Sequence, residues 1–126
     1  MKAFRELVEA GDVSNVEALL ALEVRFTSPV AFKPYDGAPM VAAILRAAFR
    51  VFEDFTYVRE VTDAPNSVLE FTATVNGLAI NGVDMIRVNA DGLIDDFKVM
   101  VRPLSAATAL AERMGVEFAQ IAAELS

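Results

Sequence analysis

Apolar and polar positions alternate with a two-residue period through most of the second half of this chain, and recur with a helical period through much of the first half. Residues 2–10 carry Phe4, Leu7 and Val8 on one side of a helix, and Gly11 is a good stop for it. Ser14, with Glu17 three positions on, has capping-box spacing. It predicts a second short helix with Val16, Leu19, Leu20 and Leu22 on its buried side. A strand is predicted over 23–30, with Val24, Phe26 and Ser28 sharing a face and Pro29 ending or bending it. Residues 31–37 have turn chemistry and predict a loop. The longest helix is predicted over 39–52, with an apolar stripe of Met40, Ile44, Ala47, Ala48 and Val51.

Three longer strands follow, over 56–62, 67–75 and 78–88, with Asp63-Ala64-Pro65-Asn66 and Asn76-Gly77 as the turns between them. Asn89-Ala90-Asp91-Gly92 leads to a fourth strand over 93–102, which Pro103 breaks. Ser105 is predicted to cap a helix running through Met114, with a further helical segment after Gly115. The order predicts an α+β fold, with helices on one side of a curved antiparallel sheet. No repeat, linker or low-complexity tract interrupts it, so residues 1–126 read as a single domain.

One residue breaks the pattern in an informative way. Asp84 falls in Gly82-Val83-Asp84-Met85-Ile86-Arg87-Val88 and shares a strand face with Ile80, Gly82 and Ile86. A carboxylate on an apolar face must find a partner, give up its charge, or line a cavity. Two readings stay open. Asp84 is a polar anchor in a pocket, or it is satisfied within the scaffold by a neighbour such as Tyr57 or Arg59. The strand over 56–62 is expected to place both of those on the inner face. If Arg59 reached the acid, the acid would stay ionised.

Composition narrows the chemistry. The net charge of −7 argues against nucleic-acid partners and anionic membrane surfaces, which select basic patches. The chain has no cysteine and no histidine. Thiolate nucleophiles, Ser-His-Asp triads and the common transition-metal sites are thereby excluded, and no cofactor is implied. Acid–base work falls to Asp, Glu, Tyr, Lys, Arg or water. The first residues have mixed charge and no apolar signal core, and no run approaches about 18 uncharged apolar residues. A cytoplasmic protein is expected.

The order of elements, together with Glu9-Ala10-Gly11-Asp12, Phe26-Thr27-Ser28-Pro29-Val30, Val83-Asp84-Met85-Ile86-Arg87-Val88 and Asp91-Gly92-Leu93-Ile94, resembles the nuclear-transport-factor-2-like superfamily. SnoaL-like and ketosteroid-isomerase-like members are the nearest in pattern. The resemblance implies a cone with an apolar interior, its mouth partly covered by the loop after the first strand. Phe4, Phe26, Ser28, Phe71, Ala73, Ile86, Phe97 and Val99 would line that interior with Asp84, and Val75 and Val101 would face it. Glu70, Thr72, Thr74, Met85, Arg87, Lys98, Met100 and Arg102 would fall on the outer face. That face is either a homodimer surface, which the family commonly forms, or a solvated face laced with salt bridges.

Carried over residue by residue, the resemblance gives mixed chemistry. Ketosteroid isomerases use a tyrosine, a general-base aspartate and a protonated aspartate. Asp84 matches the last, but Phe4 and Ser28 stand at the other two positions. A serine without an adjacent base cannot take a proton from carbon. Limonene-epoxide-hydrolase-like chemistry needs an Asp–Arg–Asp set, and Phe71, Ala73 and Val99 stand there instead. SnoaL-type cyclases can work with one aspartate, because the substrate proton they move is already acidic. Asp84 would then be the acid/base or proton donor, with Tyr57 or Tyr35 assisting and Tyr35 capping the mouth. The expectation is binding of a small hydrophobic carbonyl or polycyclic compound, with cofactor-independent isomerase or cyclase chemistry if there is turnover. The rivals are a non-catalytic ligand-binding module and a protein-interaction module of the same fold.

Overall fold

The computed structural model describes residues 1–125. Helix α1 (Lys2–Glu9) leads into a 3-10 helix at Val13–Leu19, and strands β1 (Leu20–Thr27) and β2 (Tyr35–Asp36) follow. Helix α2 (Ala38–Val51) precedes four long strands, β3 (Glu53–Asp63), β4 (Asn66–Val75), β5 (Leu78–Val88) and β6 (Ile94–Arg102), and helix α3 (Leu104–Leu125) closes the order. The strands form one six-stranded sheet in the order β2-β1-β6-β5-β4-β3. Strands β3 to β6 are the expected antiparallel meander, and β1 joins its last strand in parallel. The helices pack on one face of this open, curved sheet.

Alternation along the meander accounts for the core. Leu69, Phe71, Ala73 and Val75 of β4 and Ile80, Asp84 and Ile86 of β5 are buried, together with Phe97 of β6. Met85, Arg87, Met100 and Arg102 face out. Opposite Phe71 stands Gly82, and a Cβ there would lie 2.5 Å from the Phe71 ring and 2.7 Å from the Met100 carbonyl oxygen. The glycine is what lets the ring lie flat across β5.

Several elements depart from expectation. The segment after α1 is a 3-10 helix with Asp12 at its N-cap and no side-chain capping bond. Asn15 Nδ2 donates to Asp12 Oδ1 at 2.7 Å, so the Ser14–Glu17 box does not form. Strand β1 begins at Leu20 rather than residue 23, and Leu22 points into solvent. The expected loop over 31–37 contains the short strand β2, paired with β1 at Arg25 and Phe26. Strand β3 starts three residues early, at Glu53. Ser105 lies inside the first turn of α3 instead of capping it, and α3 runs unbroken through Gly115. A mid-helix glycine costs about 1 kcal/mol. Burial of Ile121 one helical stretch later, with Met114 before it, offsets that.

The irregularities of β3 matter most. Tyr57 pairs with Phe71 while Arg59 pairs with the next residue back, Glu70, so β3 carries one extra residue at Val58. The bulge reverses the alternation. Tyr57 is buried, whereas Arg59 faces outward and its Nε lies 3.3 Å from Glu70 Oε1. The expectation that Tyr57 and Arg59 share the inner face is therefore corrected. A second irregularity lies between Glu53 and Thr56, where Asp54 adopts φ +53° and Phe55 turns toward the core.

Candidate functional site

Asp84 reaches the inner face from the middle of β5, flanked by Leu69 of β4 and Val99 of β6. It is 4% exposed. The Tyr57 hydroxyl donates to its Oδ2 at 2.8 Å. Burial pushes the carboxyl up from the ordinary aspartate value to about 7, and the Tyr57 hydrogen bond pulls the other way by favouring the anion. Burial also raises Tyr57, and the nearby Asp84 charge adds to it, so the phenol stays protonated and remains the donor. The Arg5 guanidinium carbon lies over the Tyr57 ring, 5.7 Å from its centre, and Arg5 Nη1 donates to Glu60 Oε1 at 3.1 Å.

The carboxyl lines a cavity of about 50 Å³. At about 10–15 Å³ per water, that is room for about four waters and well short of the roughly 300 Å³ of a typical ligand pocket. Strand β1 and its loop contribute Phe26, Ser28, Pro29 and Val30, and β6 contributes Phe97 and Val99. Helix α2 adds Ile44, Leu45, Ala48 and Phe49; Phe52 and Phe55 follow it. Helix α3 covers one side with Leu110 and Met114. Among the described residues Asp84 is the one ionisable side chain in this lining.

The expected site residues divide. Phe26, Ser28, Phe97 and Val99 border the cavity with Asp84. Phe4, Phe71, Ala73 and Ile86 are buried but pack behind it: Phe4 meets Phe97 edge-on at 5.1 Å, and Phe71 stacks on Phe55 at 4.8 Å. Tyr57 reaches the site through its bond to Asp84. Tyr35 does not border the cavity. Its ring lies 6.2 Å from Phe118 of α3, and that helix borders the cavity together with the loop after the first strand. The Ser28 hydroxyl accepts from the Val30 amide at 3.1 Å, a local turn bond. Missed by the sequence reading were Phe49, Phe52 and Phe55. The helical spacing of Leu45, Phe49 and Phe52 was a usable signal for two of them.

Ion pairs fasten α3 to α2. Arg46 Nη2 lies 2.9 Å from Glu124 Oε2, and Arg50 Nε lies 2.6 Å from Glu117 Oε1. Among the described residues, no group of three or more acidic side chains is arranged to hold a metal ion. None of the described helices is long and apolar enough to cross a membrane.

The profile of the SnoaL-like domain matches residues 1–97, which spans α1 through the first half of β6. The chain belongs to the SnoaL-like family. A crystal structure of a steroid delta-isomerase from Pseudomonas aeruginosa superposes with a TM-score of 0.91 at 44% identity, covering 97% of this chain and 90% of that one. A cystatin-like-fold protein conserved in bacteria, from Silicibacter pomeroyi, gives 0.84 at 40% identity over 88% of this chain and 79% of that one. A ketosteroid isomerase-type protein from Kribbella flavida shares the fold, with a TM-score of 0.62 at 23% identity over 78% of this chain and 71% of that one. No curated protein matched the sequence. The α+β cone inferred from the chain is thus the SnoaL-like, nuclear-transport-factor-2-like fold.

Proposed function

We propose that this SnoaL-like protein binds a small apolar carbonyl or hydroxyl compound and, as an enzyme, moves one proton on it by cofactor-independent isomerase- or cyclase-type chemistry. The observation that carries the reading is a single carboxyl, held by a tyrosine, at the wall of a cavity whose other side chains are apolar except Ser28, whose hydroxyl accepts from the Val30 amide. A group near pKa 7 has comparable acid and base forms at neutral pH, the condition under which one residue can both take and return a proton. Ionised Asp84 takes a proton from the carbon beside the ligand carbonyl. The neutral acid then returns it at a second carbon, and Tyr57 donates to the carboxyl throughout. With no second carboxyl in the lining, a mechanism that divides base and oxyanion donor between two acids is not supported. Tyr35 is left a role at the mouth only.

Asp84→Asn is the test, with native mass spectrometry of the protein as purified. The variant should lose turnover of any carbonyl ligand identified in this way while folding normally. Turnover at the wild-type rate would remove Asp84 from the mechanism.

This reading treats residues 1–126 as one cytoplasmic domain that pairs with a second copy through the outer sheet face. Met85 and Met100 are 38% and 51% exposed there, and the Arg87–Asp95 pair at 2.9 Å lies beside them.

A further inference from the structure

Three hollows meet at one side chain. The Asp84 cavity lies on one side of Phe49. On the other side run a groove of about 210 Å³, walled by Val8, Glu9, Thr56 and Tyr57, and a more open one past Gly11 and Ser14. Phe49 borders all three, and Phe55 borders the first two. The two rings therefore form the partition between the acid and the outer groove.

They are not held equally. Phe55 lies within 4.8–5.6 Å of four other rings, those of Phe71, Phe49, Tyr57 and Phe52. Among the described residues Phe49 meets the rings of Phe55 at 4.9 Å and Phe52 at 6.3 Å, and it is half-buried at the end of the aromatic cluster. Tyr57 supplies continuity across the partition. Its ring walls the outer groove and its hydroxyl reaches Asp84.

We infer that Phe49 is a specificity-determining residue: its ring sets how long an apolar ligand anchored at Asp84 can be, by dividing the acid cavity from the groove between α1 and β3. With the ring in place the cavity has room for about four waters, so a one-ring compound binds weakly and a fused one is excluded. With the ring withdrawn, the hollow extends past Tyr57 and takes fused rings. The inference rests on Asp84 as the polar anchor.

The test compares phenol and 2-naphthol, whose hydroxyls can pair with Asp84 and which differ by one fused ring. Dissociation constants are measured by calorimetry for the wild type, Phe49→Ala, Phe49→Leu, Met114→Ala and Asp84→Asn. Phe49→Ala should shift preference toward 2-naphthol by tenfold or more, with Phe49→Leu intermediate. The leucine variant keeps much of the packing if the alanine variant folds poorly. An unchanged preference, while phenol binding still depends on Asp84, overturns the role of Phe49 alone. A larger shift in Met114→Ala also overturns it, because the site would then lengthen toward α3. Phenol binding that is absent, or indifferent to Asp84→Asn, overturns the anchor reading and this inference with it.

Discussion

Asp84 makes the protein's stability depend on pH in an unusual direction. Its folded pKa, near 7, lies above the value it would have in the unfolded chain. The folded state therefore holds the proton more tightly. The associated stability is complete below about pH 4, is lost as pH rises toward 7, and is flat above that. At about 1.4 kcal/mol per pKa unit the effect is a few kcal/mol. Urea unfolding followed from pH 4.5 to 8 should show this fall in the wild type, and Asp84→Asn should flatten it; equal slopes would mean that the acid is not desolvated. Glu60 acts in the opposite sense and in another window. The Met1 amine, with help from Arg5, holds its carboxyl below the usual range, so its contribution is lost only as pH drops below the normal glutamate value. Tyr57→Phe removes the hydrogen bond that favours ionised Asp84. A carboxyl-carbon NMR titration should then find Asp84 titrating higher than in the wild type, and a downward movement would contradict the donor geometry. Asp84 itself was legible in the sequence, because an acid at an apolar parity position is conspicuous. Its choice of partner was not, because Tyr57 and Arg59 are separated only by the extra residue at Val58.

The same limit operates among the elements. Alternation reports which side a residue takes relative to its chain neighbours, and it loses count wherever one strand has two residues against one of its partner. The regular strands β4 and β5 were therefore readable to within a residue. Strand β3, with two irregularities, misplaced Arg59 and concealed the inward turn of Phe55. Local signals also failed where tertiary packing decided the outcome. Gly115 read as a break, yet α3 continues because Ile121 is buried. Gly82 shows the converse, a local feature whose reason lies in a neighbouring strand. Gly82→Ala should drive a methyl into the Phe71 ring and the Met100 carbonyl, costing about 1–3 kcal/mol. A melting temperature within a degree of the wild type would show that Phe71 can move aside at little cost.

For the molecule as a whole, the outer sheet face is the surface on which assembly is tested. Val68 and Met85 sit opposite each other across β4 and β5, and Val83 and Met100 sit opposite across β5 and β6, so apolar pairs run between the charged ones. Met85→Asp places a charge in the middle of this surface. If the face joins two copies, light scattering should find the mass falling from two chains to one, with the melting temperature of the monomer little changed. A wild type that already has the mass of one chain would leave the face solvated.

The parallel seam between β1 and β6 has a consequence for how the protein is made. Phe26 aligns with Phe97, so β1 finds this partner only after β2, α2 and β3 to β5, which lie between them, have left the ribosome. Contacts across so long a loop form late and slowly. Until β6 emerges, the nascent β1 has an open edge available to a wrong neighbour. β6 is thus also the strand that shields this side of β1 from mispairing during synthesis.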